Sequence, residues 1–196
     1  FADLDLQKAD LSGKDFVRCT FDKMVLTESI WKGARLEDCV FQRCDLVRMQ
    51  PSGMSAQGIA FANCRMMGVT WAQMGVATAI GFEACNLQYS SFVEVNLTGA
   101  RFKSCRVLEA NFVECRLVDV DFTDSDMRGS RFEHCDLRHA QGAEAVGLFV
   151  DLSNNKVKDL RIGLATATLL ATSFGMTVAG FGDSDPGGSP AKRRRR

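Results

Sequence analysis

"ANFVECRLVDVDFTDSDMRGSRFEHCDL", residues 110–137, carries a large apolar residue at every fifth position. The series is Phe112, Leu117, Phe122, Met127, Phe132 and Leu137. A helix repeats every 3.6 residues and a strand every two, so a spacing of five matches neither of them. The stretch therefore predicts a regular structure other than a simple helix or strand.

The same five-residue unit recurs through most of the 196 residues. A small residue stands two positions before the large one, and Asp or Asn often stands between them, as in Ser125-Asp126-Met127. Two residues of each unit point inward and three point outward, and the Asp or Asn suits a turn. One unit cannot bury its inward pair alone, so the units must wind into coils that stack on one another.

Identical large residues recur at intervals of twenty, apart from one inserted residue between Trp71 and Phe82. The three ladders are Phe21, Phe41, Phe61, Phe82, Phe102 and Phe122; Phe92, Phe112 and Phe132; and Leu97, Leu117 and Leu137. Twenty residues hold four units, which predicts an all-β solenoid of square coils with these residues as its structural core. Seven to eight coils spaced ~4.8 Å apart would form a rod roughly 35–40 Å long.

All eight cysteines stand two residues before a large apolar position. This placement indicates small core residues, because a free cysteine packs as a small apolar side chain. The chain has no CxxC motif, so disulfide or metal roles are the minor alternative.

The repeat is expected to occupy residues 1–162, with irregular segments near 51–58, 72–81 and 141–150. Pro51 and Ala56 stand where large residues belong, and proline cannot donate a ladder hydrogen bond. The segment 72–81 contains the inserted residue. After Leu137 the spacing lapses, and it returns at Leu152, Val157 and Ile162.

Residues 163–182 carry no charged side chain. Leu164, Ala167, Leu170 and Phe174 lie on one helical face, and Gly175 suits the position after a helix. We predict a helix over about 164–174 that caps the last coil. A membrane anchor over 163–182 is the minor alternative, because the segment has the length but is rich in Thr, Ser and Gly.

Residues 183–196 are expected to form a flexible, Gly/Pro-rich basic tail. Lys192–Arg196 supply five positive charges, so residues 1–191 hold 19 basic and 24 acidic side chains although the whole chain is neutral. The basic cluster could contact nucleic acid or another acidic surface, or it could be a solvated end.

The sequence shows no Walker A, GxSxG or HExxH motif, so it predicts neither an enzyme nor a cofactor or metal site. The two histidines, His134 and His139, stand in outward positions.

Acidic residues are concentrated between 107 and 126, which hold six acids and one base, whereas residues 1–81 hold nine of each. Glu94, Glu109, Glu114, Asp119 and Asp124 stand two after a large residue, a position to which we assign no structural requirement. Asp121 and Asp126 fill the turn position of the unit and complete the candidate surface for partner binding. A solvated face and a surface that occupies a basic, DNA-binding saddle are both open.

The units over residues 4–162 resemble those of the pentapeptide-repeat family, which implies a right-handed quadrilateral β-helix. "GIAFANCRMMGVTW" (58–71) and "ATLLATSFGMTVAG" (167–180) are similar to stretches of the Qnr-type quinolone-resistance group and its relatives acting against albicidin or microcin. The two interruptions add one residue in all, so the chain resembles the smooth members that lack projecting loops.

This resemblance implies a cytoplasmic homodimer that mimics DNA, binds DNA gyrase or topoisomerase IV, and protects it from poisons such as quinolones. It also implies a dimer contact at the C-terminal helix, for which the candidates are Leu164, Ala167, Leu169, Leu170, Phe174 and Met176. Direct nucleic-acid binding is not expected apart from the basic tail. The alternative function is a scaffold or adaptor for an unrelated protein partner.

Overall fold

A computed structural model describes residues 1–75 and 77–180. It is a parallel β-solenoid of about seven turns followed by one short helix. The strands are β1 (Asp15–Val17), β2 (Thr20–Asp22), β3 (Arg35–Glu37), β4 (Val40–Gln42), β5 (Ser55–Ala62), β6 (Thr70–Ala72), β7 (Ala77–Glu83), β8 (Ser91–Val93), β9 (Arg101–Lys103), β10 (Asn111–Val113), β11 (Arg131–Glu133), β12 (Gln141–Gly142) and β13 (Arg161–Ile162), and the helix is α1 (Leu164–Ser173). The predicted all-β solenoid with a short C-terminal helix is confirmed.

Each coil pairs with the next through parallel strands that lie twenty residues apart. Phe21 is paired with Phe41 and Phe41 with Phe61, whereas Phe61 is paired with Phe82, twenty-one residues on. The inserted residue therefore lies where it keeps the ladders of identical residues in line. Consecutive units form consecutive sides of the coil, so units ten residues apart lie on opposite sides.

We name the four sides by their inward large residues. Wall A carries Phe21, Phe41, Phe61, Phe82, Phe102 and Phe122; wall B carries Leu26, Leu46, Met66, Leu87, Val107 and Met127; wall C carries Trp31, Pro51, Trp71, Phe92, Phe112 and Phe132; and wall D carries Leu36, Ala56, Ala77, Leu97, Leu117 and Leu137. All the predicted core residues are buried.

Aromatic rings fill the core as two facing stacks. Phe82 and Phe102 of wall A are stacked with ring centroids 4.9 Å apart, and Phe92 and Phe112 of wall C are stacked at 4.8 Å. Across the core, Phe92 meets Phe102 edge to face at 5.9 Å, which is a favourable aromatic geometry.

The corners between walls have a common backbone conformation. The residue two after the large one has a positive φ in nearly every unit, for example 67° at Gly33, 51° at Asp38 and 54° at Arg43. Where the corner closes a hydrogen-bonded turn, the small residue donates to the preceding large residue, as Ser29 N–H does to Leu26 at 3.1 Å. A positive φ at the third residue is the mark of a type II turn.

The eight cysteines are free thiols. Seven are buried, and Cys19 near the open N-terminal coil is half-buried. Cys44, Cys64, Cys85 and Cys105 form a column one coil apart, and each thiol donates to a carbonyl of the preceding coil; Cys85, for example, bonds to Phe61 O at 3.4 Å.

The segment 51–58 is more regular than its sequence predicts. Pro51 and Ala56 are both buried, and Met54 N–H donates to Pro51 O at 2.8 Å as in other turns. From Ser55 the chain enters β5, which pairs with β3 on wall D and with β4 on wall A. Pro51 forfeits one ladder hydrogen bond without disturbing the corner at Gly53.

The second predicted irregular segment, 72–81, is regular from Ala77 onward, where it belongs to β7. β7 begins at Ala77 and pairs with β5 over Ala56–Ala62. Trp71 is paired with Phe92 and Ala56 with Ala77, both twenty-one residues apart, so the extra residue lies between Trp71 and Ala77.

Residues 143–150 leave the five-residue pattern. Gly142 takes the inward position of wall A, and a Cβ there would lie 2.2 Å from Leu148 Cδ2, so Leu148 fills the space of the missing side chain. Val157 and Ile162 pack against the core, but Leu152 is exposed. The prediction that Leu152 restores the inward pattern is therefore wrong, because no further coil of the described chain covers that end of wall C.

The helix α1 lies against the last coil through the buried Thr166. It ends at a Schellman motif, in which Met176 N–H donates to Ala171 O and Gly175 N–H donates to Thr172 O. Gly175 has φ 76°, the conformation expected after a helix. Within the described residues no helix is long and apolar enough to span a membrane. The predicted basic tail, 183–196, lies outside the described residues.

Candidate acidic interface

The seven acids predicted for partner binding do not share one face of the solenoid. A coil takes twenty residues, so acids spread between 107 and 126 encircle it. Glu94 and Glu114 stand at the corner between walls C and D, and Glu109 at the corner between B and C. These three glutamates border wall C.

The aspartates lie elsewhere. Asp119 and Asp124 stand at the two corners of wall A, and Asp121 pairs on wall A with Arg101 of the preceding coil. Wall A is opposite wall C, so no flat partner contacts both sets of acids at once. Asp126 lies on wall B, where its carboxylate accepts from Arg128 Nε at 2.8 Å and Nη2 at 2.5 Å.

The two turn aspartates are structural as well as acidic. Asp121 accepts hydrogen bonds from the backbone N–H and the hydroxyl of Thr123, at 2.9 and 2.5 Å. The hydrogen bond from Arg128 lowers the pKa of Asp126 below its usual value. Their carboxylates are half-buried and already have donors, so they offer little free charge to a partner.

The other five acids stand at corners with φ between 51° and 57°. The expectation that this position has no structural requirement is wrong, because left-handed backbone favours Gly, Asn and Asp. Asp119 and Asp124 therefore have a structural reason to be there, whereas Glu94, Glu109 and Glu114 do not. The glycines that recur two after a large residue, at positions such as 13, 33 and 53, are the sequence signal of this corner.

Among the residues that the structure describes, these five corner carboxylates also lack ion pairs. Over residues 1–75 and 77–180, no basic nitrogen lies within 4.0 Å of them. In the N-terminal half, by contrast, acids pair with a base one coil later. These pairs include Asp15–Arg35, Asp22–Arg43 and Asp45–Arg65, at 3.1, 2.5 and 2.9 Å.

Wall C carries a fourth exposed glutamate that sequence reasoning missed. Glu133 lies on β11, in the four-stranded sheet of β6, β8, β10 and β11 that forms this wall. Glu133 stands one position after the large residue Phe132, whereas the corner acids stand two positions after theirs. It lies beside Glu114 because each coil takes about twenty residues. We call the outward face of this sheet, with Glu94, Glu109, Glu114 and Glu133, the acidic wall. Arg131 is the base among them.

The neighbouring wall D has the opposite charge near the C-terminus. Its outward positions carry Arg116, Arg138, Lys156 and Lys158, with Asp136 bonded to Arg138 Nη2 at 2.7 Å. Acidic and basic walls therefore adjoin in the C-terminal half.

The six candidate dimer residues fall into two groups. Ala167 and Leu170 are half-buried against the last coil, whereas Leu164, Leu169, Phe174 and Met176 are 51–67% exposed. No group of three or more His, Cys, Asp and Glu residues is arranged to hold a metal within the described part of the chain.

Comparisons with known proteins agree with this fold. Residues 77–141 match the family model for the pentapeptide repeat region. A curated relative, the quinolone resistance pentapeptide repeat protein QnrB96 of Scandinavium goeteborgense, is 26% identical over 114 residues. That alignment covers 56% of this chain and 53% of the relative, so the chain spans about half the length of the relative that it matches.

Two solved structures of trypsin-treated variants of QnrB1, a plasmid-mediated fluoroquinolone resistance protein, have a similar fold. Both superpose with a TM-score of 0.59, at 20% and 19% identity. They cover 89% and 91% of this chain, and 95% and 96% of their own. With its five-residue units and square coils, this chain has the fold of the QnrB1 structures, and its residues 77–141 match the pentapeptide repeat region.

Proposed function

We propose that this protein binds a type II topoisomerase, DNA gyrase or topoisomerase IV, through the acidic wall and protects it from quinolone-type poisons. The observation that carries the proposal is the set of four exposed glutamates on one wall without a basic partner among the described residues. Three of them occupy left-handed corners that favour other residue types. Local structure therefore does not explain why glutamate stands there.

The proposed mechanism is charge complementarity with a surface that normally binds DNA. The wall is a straight sheet face, and its corner carboxylates repeat at the coil spacing of ~4.8 Å. A rigid row of negative charge fits a basic saddle and speeds association with it. A protein on the saddle would displace DNA from the gate at which poisons trap cleaved DNA. The similar proteins QnrB96 and QnrB1 are described as quinolone and fluoroquinolone resistance proteins, which supports protection from quinolones as the function.

The test is gyrase supercoiling in the presence of a quinolone, with and without the protein. We expect the protein to restore supercoiling at drug concentrations that otherwise block it, and to inhibit at higher protein concentration. Neither protection nor inhibition would contradict the proposal. If protection is unchanged when Glu94, Glu109 and Glu114 are replaced by Gln, the activity does not depend on the acidic wall.

A homodimer through α1 is part of the proposal. Leu164, Leu169, Phe174 and Met176 face solvent, and a second copy of α1 would cover them. Light scattering should then give twice the chain mass, and Leu169→Glu should give a monomer. Val17→Glu, a change at an exposed valine of the N-terminal coil, is the control that should stay dimeric. A wild-type monomer at all concentrations would contradict this part.

A second candidate function is a scaffold that binds an unrelated partner. The division of the predicted acids between opposite walls favours it, because a DNA-like rod would be acidic on every side. Such a chain would capture protein from a lysate of its host without topoisomerase subunits. Capture of gyrase that depends on the acidic wall would reject this alternative. Action in the cytoplasm, where type II topoisomerases work, remains a prediction.

A further inference from the structure

The outward face of the acidic wall is a sheet face that nothing covers within the described residues. Val93 and Val113 lie half-buried in its centre, on neighbouring strands β8 and β10. Glu94 and Glu114 line one edge, and Glu109 lines the other. The face therefore has a shallow apolar centre between acidic borders, which suits a segment with long cationic side chains.

The chain itself contains a segment of the matching charge. Lys192–Arg196 are five consecutive basic residues, and they follow the described part of the chain by twelve residues from Gly180. Twelve extended residues span at most about 40 Å. A flexible Gly/Ser-rich linker of that length has an r.m.s. span of about 19 Å.

The acidic wall lies within this reach. Glu133 lies one coil before the last, the coil against which α1 packs, and Glu94 lies two coils further on, about 10 Å away at the strand spacing. A tether of this length holds the basic segment at an effective concentration in the millimolar range. Two of the other walls fit it less well: wall D is basic, and on wall A the bases Arg101 and Arg161 stand among the acids.

We propose that Lys192–Arg196 dock on the acidic wall of the same chain. The contact does not depend on the proposed function. Its consequence does rest on that function: the docked segment occupies the surface on which a cationic partner binds, so the partner must displace it. The C-terminus then acts as a built-in competitor that weakens binding and sharpens its dependence on salt.

Backbone amide chemical shifts of the isotope-labelled full-length chain test the contact. They are compared with those of a variant in which Lys192 and the four following arginines are replaced by Gln. We expect shift differences at Val93, Val113, Glu114 and Glu133. They should vanish at about 1 M salt, where the Debye length is near 3 Å. No differences on wall C, or differences of the same size on wall A, would overturn the proposal.

Two controls test which wall the tail contacts and whether the contact forms within one molecule. Replacing Glu94, Glu109, Glu114 and Glu133 by Gln should abolish the effect of the tail substitutions. Replacing Asp119 and Asp124 by Asn, together with Glu144 by Gln, should leave it intact. The differences should also be independent of protein concentration. A dependence on concentration would show docking on a second molecule and would overturn the intramolecular contact.

Binding to gyrase tests the consequence separately. If the tail occupies the wall for most of the time, its neutralisation should tighten binding about threefold to tenfold, since apparent affinity falls with the fraction of competent molecules. Unchanged or weaker binding would overturn the competition. If neither chain binds gyrase, the proposed function fails, while the chemical shifts still decide the contact.

Discussion

The indole Nε1 of Trp31 donates a hydrogen bond of 2.8 Å to Oγ of Ser29, whereas the buried Nε1 of Trp71, two coils later on the same wall, has no acceptor among the described residues. Val69 stands where Ser29 stands in the earlier coil. The two tryptophans form a natural comparison of a satisfied and an unsatisfied donor within one core.

Replacing Val69 by Ser should supply the missing acceptor. A buried donor without a partner costs about 1–3 kcal/mol, which offsets much of the apolar burial lost with the valine. The control is Val120→Ser, at the same buried position of a unit on another wall without a tryptophan. We expect Val69→Ser to reduce the free energy of unfolding in urea by less than Val120→Ser does. Equal losses of unfolding free energy would show that the unsatisfied donor of Trp71 does not lower the stability of the protein.

Removing one ring from the wall A stack should be severely destabilising. Phe102 contacts Phe82 at 4.9 Å and Phe122 at 5.4 Å between ring centroids, and it also meets Phe92 and Phe112 of the opposite wall. Phe102→Ala should cost about 3–5 kcal/mol of unfolding free energy, because the stack cannot collapse around the cavity. Calorimetry or urea titration measures this. A loss below about 1 kcal/mol would mean that the coils relax independently.

The buried thiols predict a loss of stability in alkali. Burial raises the pKa of Cys39, and the interaction with Cys105 together with burial raises the pKa of Cys85 to about 12, while the same interaction lowers the pKa of Cys105. A folded-state pKa above the unfolded one gives stability that is complete below pH 9 and is lost between pH 9 and 12. The slope is about 1.4 kcal/mol per pH unit for each such thiol.

Urea titrations at several pH values above 8 test this expectation. Lysine and tyrosine also titrate in this range, so the informative quantity is the difference between wild type and Cys85→Ala, whose slope should be shallower. At pH 8 a thiol reagent should label the half-buried Cys19 first and the buried column only after unfolding. Rapid labelling of the column in the native state would contradict the assignment.

The core was predictable because residues that pair between neighbouring coils are often identical. A phenylalanine paired with a phenylalanine one coil later appears as identity at a spacing of twenty, as in Phe21, Phe41 and Phe61. The same arithmetic places Asp119 and Glu109 at opposite corners of the coil, yet their nearness in sequence suggested one surface. Acids must be grouped by their position within twenty residues, and not by their distance along the chain.

Other features depend on contacts outside the repeat. Leu148 reaches the space left by Gly142, six residues away, and no five-residue pattern indicates such a substitution of one side chain for another. β5 and β7 continue across the corner at Gly58, where the flanking residues on both walls remain paired. The length of a strand there depends on that pairing and not on the apolar pattern.

The most direct test of the central claim compares gyrase binding by two charge-matched variants. One replaces Glu94, Glu109 and Glu114 by Gln on the acidic wall. The other replaces Asp119 and Asp124 by Asn, and Glu144 by Gln, on the wall A side. Both sets are exposed, so both variants should fold like the wild type by circular dichroism. We predict that the first weakens binding about tenfold or more, while the second stays within about threefold of wild type. Equal effects of the two variants, or a larger effect of the second, would contradict a binding site on the acidic wall.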